Sequence, residues 1–321
     1  MSMCNKALIA IAGENLIDTV VTQLPSGERV TTDSLGGSPY NVAVAMGRQG
    51  QRPYYVTPIS TDDFGNQLHD NLTRQGVHAT GQRRVEPSSQ AIVTIKNGIP
   101  DYKFIRDGTA ERCVSVSSIE DTIPRELTHF HLGSLALVGG EDAAIWEKVF
   151  HALAKKGITT SLDPNVRPSL IDDPDTYRDR MMRLFASATI IKFSDEDLSW
   201  IFPNVTQLEA IEQLTELSDA SFIVLTKGPD GAECWTPNAH LVMPNLFAPK
   251  LVDTIGAGDT FMATILSDLA NQNHLSSEWF EGADMADLQM ILKRALCAAC
   301  LNCEKEGCDP PTAASIEAAI N

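Results

Sequence analysis

The feature that most constrains the fold is a repeated alternation along the 321-residue chain. Short apolar, β-branched runs are each followed by a polar turn and then by a stretch with helical spacing. Residues 7–12 read as a buried first strand, residues 53–59 as a second, and residues 61–75 as an amphipathic helix stopped at Gly76. The unit recurs as strands over 129–132, 158–162, 189–192 and 221–226, with helices over 141–156 and 176–185 and another opening at Ser194-Asp195-Glu196-Asp197. Helices over 288–305 and 312–319 close the chain. This rhythm predicts an α/β fold with a mainly parallel sheet flanked by helices. Ligands of such sheets bind beyond the carboxyl ends of the strands. Asp163, Ser194, Asp197, Lys227 and Asp259 all follow predicted strands and so converge on one crevice.

The rhythm breaks twice. Residues 15–35 and 91–106 alternate with period two and carry turns (Pro25-Ser26-Gly27 and Asn97 to Asp101) without helices. Two separated hairpins of this kind predict a small β subdomain, formed by 13–36 and 89–112, projecting from a body formed by 1–12, 37–88 and 113–321. No internal repeat, low-complexity tract or linker is visible.

The strongest chemical signal is Asp253-Thr254-Ile255-Gly256-Ala257-Gly258-Asp259-Thr260-Phe261. It follows what reads as the end of an extended segment at 250–252 and opens a helix whose apolar residues include Phe261, Ile265, Leu266 and Leu269. A glycine-rich turn at a helix N-terminus presents unpaired N–H groups and the positive end of the helix dipole, which suits phosphate. A carboxylate there repels phosphate unless it accepts a proton or holds a metal, so Asp259 points to phosphoryl transfer onto an alcohol. An ordinary helix N-terminus with a favourable first-turn acid is the simpler alternative.

Upstream, Gly36-Gly37-Ser38-Pro39-Tyr40-Asn41 precedes a helix over 42–48. Paired glycines let backbone approach a ligand, and Asn41 either binds that ligand or caps the helix. Asp18 is a lone acid on an apolar strand face, either solvated or gripping a polyol. Arg106 lies near the base of the β subdomain.

Composition narrows the partners. A net charge of −17, with no basic stretch to offset it, excludes nucleic acid and anionic membrane surfaces, and no apolar run reaches the roughly 20 residues of a membrane span. A cytoplasmic protein is expected. Of seven cysteines, Cys297, Cys300 and Cys303 are spaced three apart with Cys308 close behind, a spacing also seen in iron–sulfur ligation. Their setting among Ala298, Ala299 and Leu301 favours small buried residues on a packed helix.

Asp253 to Phe261 resembles the C-terminal signature of the PfkB, or ribokinase-like, sugar kinases, and Gly36 to Ala43 resembles their N-terminal di-glycine signature. Order and separation agree over essentially the whole chain. Gly13-Glu14-x-Leu16-x-Asp18, Phe104-x-Arg106-x-Gly108-x-Ala110, His131-x-Gly133-Ser134-Leu135 and Leu162-Asp163-Pro164-Asn165-Val166-Arg167-Pro168 are most similar to bacterial fructokinases within that family. The resemblance implies a Rossmann-like ribokinase fold with a β lid, and a kinase using ATP and Mg²⁺. It implies Asp259 as base and Gly256, Ala257 and Gly258 as the anion hole. Asp18, Gly36, Gly37, Asn41, Arg106, Asp163 and Arg167 would surround the sugar. Lys192, Ser194, Thr226, Lys227, Gly228, Gly231 and Asn302 would meet the nucleotide. Asp253 and Ile255 would hold a monovalent cation such as K⁺. The family's Asn-x-x-Glu motif, which organises Mg²⁺, is here Ser194-Asp195-Glu196-Asp197, so Asp197, helped by Glu196, would take the metal role with one methylene less reach. No Gly-x-x-x-x-Gly-Lys-Ser/Thr motif is present, so P-loop chemistry is not expected. Fructose is the expected acceptor. A sugar acid such as 2-keto-3-deoxygluconate, whose carboxylate Arg106 would pair, or ribose is the alternative, and a non-catalytic sensor on the same fold is a third. A homodimer formed through the lid is expected.

Overall fold

The computed structural model describes residues 7–23, 29–96, 99–247 and 250–321. The turn at Pro25-Ser26-Gly27, the Asn97-Gly98 corner and Cys4 lie outside them. Strands in chain order are β1 (Ile9–Ala12), β2 (Leu16–Gln23), β3 (Arg29–Gly36), β4 (Tyr54–Tyr55), β5 (Ile59–Ser60), β6 (His78–Ala79), β7 (Arg83–Arg84) and β8 (Ser89–Lys96). They continue as β9 (Ile99–Ile105), β10 (His129–Gly133), β11 (Thr159–Asp163), β12 (Ile190–Ser194), β13 (Phe222–Thr226), β14 (Ala232–Thr236) and β15 (Ala239–Met243). The helices are α1 (Ser38–Arg48), α2 (Asp63–Arg74), α3 (Val116–Glu120), α4 (Glu141–Lys155), α5 (Pro174–Phe185), α6 (Asp195–Ile201), α7 (Gln207–Leu217), α8 (Ala257–Asn271), α9 (Ser277–Gly282), α10 (Met285–Cys303) and α11 (Ala313–Ile320).

Nine strands form the main sheet in the order β15-β14-β13-β12-β11-β10-β1-β4-β6, parallel from β13 to β6 and antiparallel at β14 and β15. From β1 the chain builds outward to β4 and β6 on one side, then returns to lay β10 to β13 on the other. The order therefore reverses between β1 and β10, and the crevice beyond their carboxyl ends is the place where such sheets bind ligands. Ile9, Ile11, Ile190, Phe222 and Val224 pack under α1, α8 and α10. Phe130, Leu132, Leu162, Ile191 and Phe193 alternate with them and pack under α4 and α5 with Trp146, Phe150, Met181 and Leu184. Both faces are covered, which is why these strands read as continuous apolar runs.

The two segments without helices pair into a separate four-stranded sheet, β3-β2-β8-β9, parallel between β2 and β8 and antiparallel outside. Leu16 and Ala91 dock it on Leu135 of the body, with Phe104 and Leu170 alongside.

Three expectations change. The strand expected over 53–59 is two short ones, because Pro58 has no N–H for a ladder and Thr57 turns its hydroxyl to the Gly13 N–H at 2.9 Å. Residues 250–252 are not a strand; the Val252 and Asp253 N–H groups donate to the Cys303 carbonyl at 2.8 and 3.2 Å. The antiparallel β14–β15 hairpin extends the sheet beyond β13, where no further strand was expected.

A polar line runs through the sheet beneath the crevice. The Thr159 hydroxyl donates to the Thr128 carbonyl (2.9 Å), so His129 Nδ1, 2.8 Å from the Thr159 hydroxyl oxygen, carries a proton and donates it there. His129 Nε2 then accepts from Ser161 Oγ (2.8 Å), and Ser161 accepts from His131 Nδ1 (2.9 Å). Burial pushes both imidazoles down to about 3, so they stay neutral. Ser161→Ala strands two buried ring nitrogens and is expected to destabilise the protein by about 2–4 kcal/mol. Chemical denaturation checks this, and a change below about 1 kcal/mol contradicts the network.

Candidate active site

Gly256 caps α8 in the left-handed region (φ 76°), where a side chain would be strained and would also strike Cys308, since a Cβ would sit 2.3 Å from its Sγ. The loop is fastened on both sides. Asp253 accepts the N–H groups of Ile255 (3.0 Å) and Gly307 (2.9 Å), and Asn302 donates to the Ile255 carbonyl (2.7 Å). The N–H groups of Gly256, Gly258 and Asp259 make no hydrogen bond among the described residues, whereas Ala257 donates to the Thr254 carbonyl at 3.2 Å. Among the described residues the N–H groups left free at the start of α8 are therefore those of Gly256, Gly258 and Asp259.

Asp259, in the first turn of α8, is 7 % exposed. Ser38 Oγ donates to its Oδ1 at 2.6 Å and Asn41 Nδ2 to its Oδ2 at 2.8 Å. Burial raises its pKa, while Ser38, Asn41, Lys192 and Arg167 pull the other way. Both donors come from the di-glycine helix α1. Gly37, its N-cap, allows the close approach, because a Cβ there would lie 2.5 Å from the Glu14 carbonyl. Glu14, just beyond β1, is buried and accepts from the Ser38 N–H (2.9 Å) and the Leu135 N–H (3.0 Å), joining the ends of β1 and β10 to α1. Burial pushes its carboxyl up to about 7, against the pull of Arg106. Ser38 and Glu14 stand inside motifs visible in the sequence, but their roles arise from contacts that no local pattern announces.

Asp18 on β2 faces the same cleft. Gly36 leaves room for it, since a Cβ there would meet its Oδ2 at 2.2 Å. Burial lifts Asp18 to about 6, with Arg167 opposing and Asp259 adding to the rise. Arg167 is exposed and its Nη1 donates to Asn165 and Val166 oxygens. Lys192 is buried beside the anion loop, so close that a Cβ on Gly258 would lie 3.1 Å from its Nζ. It donates to Asp163 Oδ2 at 2.9 Å. Burial disfavours its charge, but Asp163 and neighbouring acids outweigh that and raise its pKa. Arg106 is not free; its guanidinium pairs with the buried Glu111 at 2.9 Å.

Next to the loop lies a mostly apolar cavity of 530 Å³, within the roughly 300–1,000 Å³ of small-ligand pockets; its walls include Thr226, Gly228, Gly231, Phe261, Leu296 and Cys303. Lys227 turns away to pair with Glu233. Asn302 is a correction: it is fully buried behind the wall, holding the Ile255 carbonyl rather than facing a base. Asp197 is another. Its carboxylate accepts from Val166 N (2.7 Å) and Ser194 N (3.1 Å), and Ser194 caps α6 in return, so both serve as braces. Glu196 is exposed, and among the described residues no three His, Cys, Asp or Glu are grouped to hold a metal ion. Asp197 is thus braced through both oxygens, while a Mg²⁺ that keeps its waters and meets ATP phosphates needs only one or two carboxylates from the chain. Cys297 and Cys300 are buried on α10, as small packing residues.

Free N–H groups at a helix start, a buried carboxylate held by two donors and a separate small sheet on a nine-stranded α/β body point to a phosphotransferase on a ribokinase-type fold. The chain matches the pfkB family carbohydrate kinases over residues 7–314, and it belongs to that family. It is 32% identical to a fructokinase of Rhizobium leguminosarum bv. trifolii over 278 residues, covering 86% of this chain and 84% of the relative. Its fold superposes on a fructokinase of Xylella fastidiosa with bound ATP at a TM-score of 0.89 (24% identity, 98% of each chain). A fructokinase of Vibrio cholerae O395, bound to fructose, ADP and calcium, superposes at 0.82 (23% identity, 98% of this chain and 99% of that one). The chain is an enzyme that phosphorylates a sugar hydroxyl. Among the described residues no helix is long and apolar enough to cross a membrane.

Removing the Ser38 hydroxyl removes a donor that lowers the Asp259 pKa. A base works only when deprotonated, so Ser38→Ala is expected to move the acid limb of the kcat–pH profile to higher pH and to reduce kcat near neutrality about tenfold. An acid limb at the wild-type position contradicts the role given to Ser38.

Proposed function

We propose that the enzyme transfers the γ-phosphate of ATP to the primary hydroxyl of D-fructose, giving fructose 6-phosphate. The observation that carries this is Asp259, buried next to unpaired loop N–H groups and held by Ser38 and Asn41. The fructokinase names of its relatives supply the acceptor.

In this reading Asp18 and the Gly36–Gly37 backbone hold the sugar, with Asn41, Arg106 and Arg167 at its edges. Asp163 acts through Lys192. The adenine ring occupies the apolar cavity beside Thr226, Gly228 and Gly231. The four-stranded sheet closes as a lid, excluding water and aligning the hydroxyl between Asp259 and the γ-phosphate. Asp259 takes the hydroxyl proton as the new O–P bond forms and the bond to ADP breaks. The Gly256, Gly258 and Asp259 N–H groups and the Lys192 ammonium carry the charge that gathers on the transferring group. A divalent ion, Mg²⁺ in the cell, would arrive with the ATP phosphates. Asp253 and the Ile255 carbonyl offer oxygens that would suit K⁺, whose charge would steady the loop. We place the enzyme in the cytoplasm. β3 is an edge strand, exposed from Arg29 to Ser34, and would pair with a second lid in a homodimer.

A coupled ADP-release assay over fructose, ribose and other hexoses tests this. Fructose is expected to give a kcat/KM at least about tenfold above any other neutral sugar, a difference near 1.4 kcal/mol. A better acceptor, or ADP release that does not depend on sugar, overturns it.

A further inference from the structure

We propose that Glu14 is a positioning residue for the transfer step: its one carboxylate holds both the helix start that readies Asp259 and the seat on which the lid packs. This rests on the phosphotransferase reading above and adds a residue to it. Two helix starts meet at Glu14. Its Oε1 accepts the Ser38 N–H at 2.9 Å and its Oε2 accepts the Leu135 N–H at 3.0 Å. Ser38 opens α1, and Leu135 is the second residue of a short 3₁₀ turn, Ser134–Leu137. Each element begins after a glycine, Gly37 or Gly133, that offers no side chain as a cap, and neither has an acid in its first turn. The first N–H groups of a helix have no partner within it and carry positive partial charge. Glu14 supplies the acceptor and the negative charge to both starts at once.

The backbone around Glu14 is anchored independently of these tethers. The Tyr55 hydroxyl donates to the Gly13 carbonyl at 2.8 Å, and Asn15 Nδ2 donates to the Pro58 carbonyl at 3.0 Å. Gly13 is packed so closely that a Cβ on it would strike Pro39 and come within 3.0 Å of the Gly133 carbonyl. Glu14 is therefore a fixed post, and other parts hang on it. On one side, Ser38 Oγ and Asn41 Nδ2, both in the first turn of α1, are the donors to Asp259 at 2.6 and 2.8 Å. On the other side, Leu135 is the body residue against which Leu16 and Ala91 of the small sheet pack. It follows Ser134, held at φ 58° in a region uncommon for any residue but glycine. Losing the first tether loosens the donors to the base, and losing the second loosens the lid seat.

Both tethers need the charge. A carboxylate accepts on either oxygen, whereas a carboxylic acid carries a proton on one, which here would point at a backbone N–H. Protonation therefore releases one start or the other. Burial is what pushes Glu14 up to about 7, opposed by the Arg106 charge and the Ser38 N–H and reinforced by Glu111. Tyr55, kept protonated by burial, is the remaining titratable group beside it. The carboxyl is raised above its ordinary value, so its charge is present above about pH 7 and is lost as the pH falls through that point. The hold on α1 and on Leu135 weakens in the same range.

The test measures kcat and KM for fructose phosphorylation across the acid limb, for wild type and for Glu14→Gln, which keeps the size but cannot ionise. Wild-type kcat is expected to fall with two ionisations as the pH drops, one near 7 from Glu14 and one from Asp259. Glu14→Gln is expected to lose the ionisation near 7, with kcat about tenfold lower at about pH 8 and KM for ATP changed by less than about threefold. Wild-type kcat and limb in the folded variant overturn the proposal, as does a wild-type limb with a single ionisation. Deuterium exchange of the amides of 38–41 and 134–138, corrected for its intrinsic pH dependence, reads the tethers without turnover. Protection in wild type is expected to weaken as the pH falls through about 7, and in Glu14→Gln to be low and independent of pH. Protection that ignores pH in wild type overturns the proposal, and this measurement decides should Glu14→Gln not fold. If no sugar is phosphorylated, the functional reading fails, and the exchange still decides whether Glu14 holds the two starts.

Discussion

The structure depends on keeping a carboxylate charged inside a cleft. Asp259 is buried, and an ionised acid in that position needs donors. Two come from α1, more than two hundred residues earlier in the chain, through Ser38 and Asn41. They reach it only because Gly37 allows the helix start to press against the Glu14 carbonyl. Glu14 in turn spans the gap between β1 and β10, the point at which the strand order reverses. Sheet topology, di-glycine turn and anion loop are therefore parts of one arrangement.

Charge sets the second constraint. A chain of net charge −17 binds a polyanion only where local features override the overall field. The unpaired N–H groups at the start of α8 and the buried Lys192 provide that override. Elsewhere acids match the cations, as at Arg106 beside Glu111 and Glu14.

Much of this was legible in the sequence, because periodicity and glycine placement are local properties. The parallel sheet, the two lid hairpins, and Asp259 at a helix start all follow from them. What local pattern left out has several physical reasons. Ser194-Asp195-Glu196-Asp197 has the residues of a metal motif and also those of a capping box, and only the positions of Val166 and Ser194 N–H show that Asp197 is spent as a cap. Asn302 lies on the helix beside the cavity, but its rotation about that helix turns it onto Ile255. The Glu111 partner of Arg106 is five residues away and invisible as such until the turn at Gly108 brings it round. The β14–β15 hairpin escaped notice because an antiparallel edge carries weaker apolar patterning than the buried strands.

The central claim is that Asp259 acts as the base on the sugar hydroxyl. Asp259→Asn keeps size and the ability to accept a hydrogen bond while abolishing the charge. Single-turnover phosphorylation of fructose, measured together with fructose affinity, tests it most directly. The rate is expected to fall by about two to four orders of magnitude with sugar affinity changed by less than about threefold. Near-normal turnover would contradict the account.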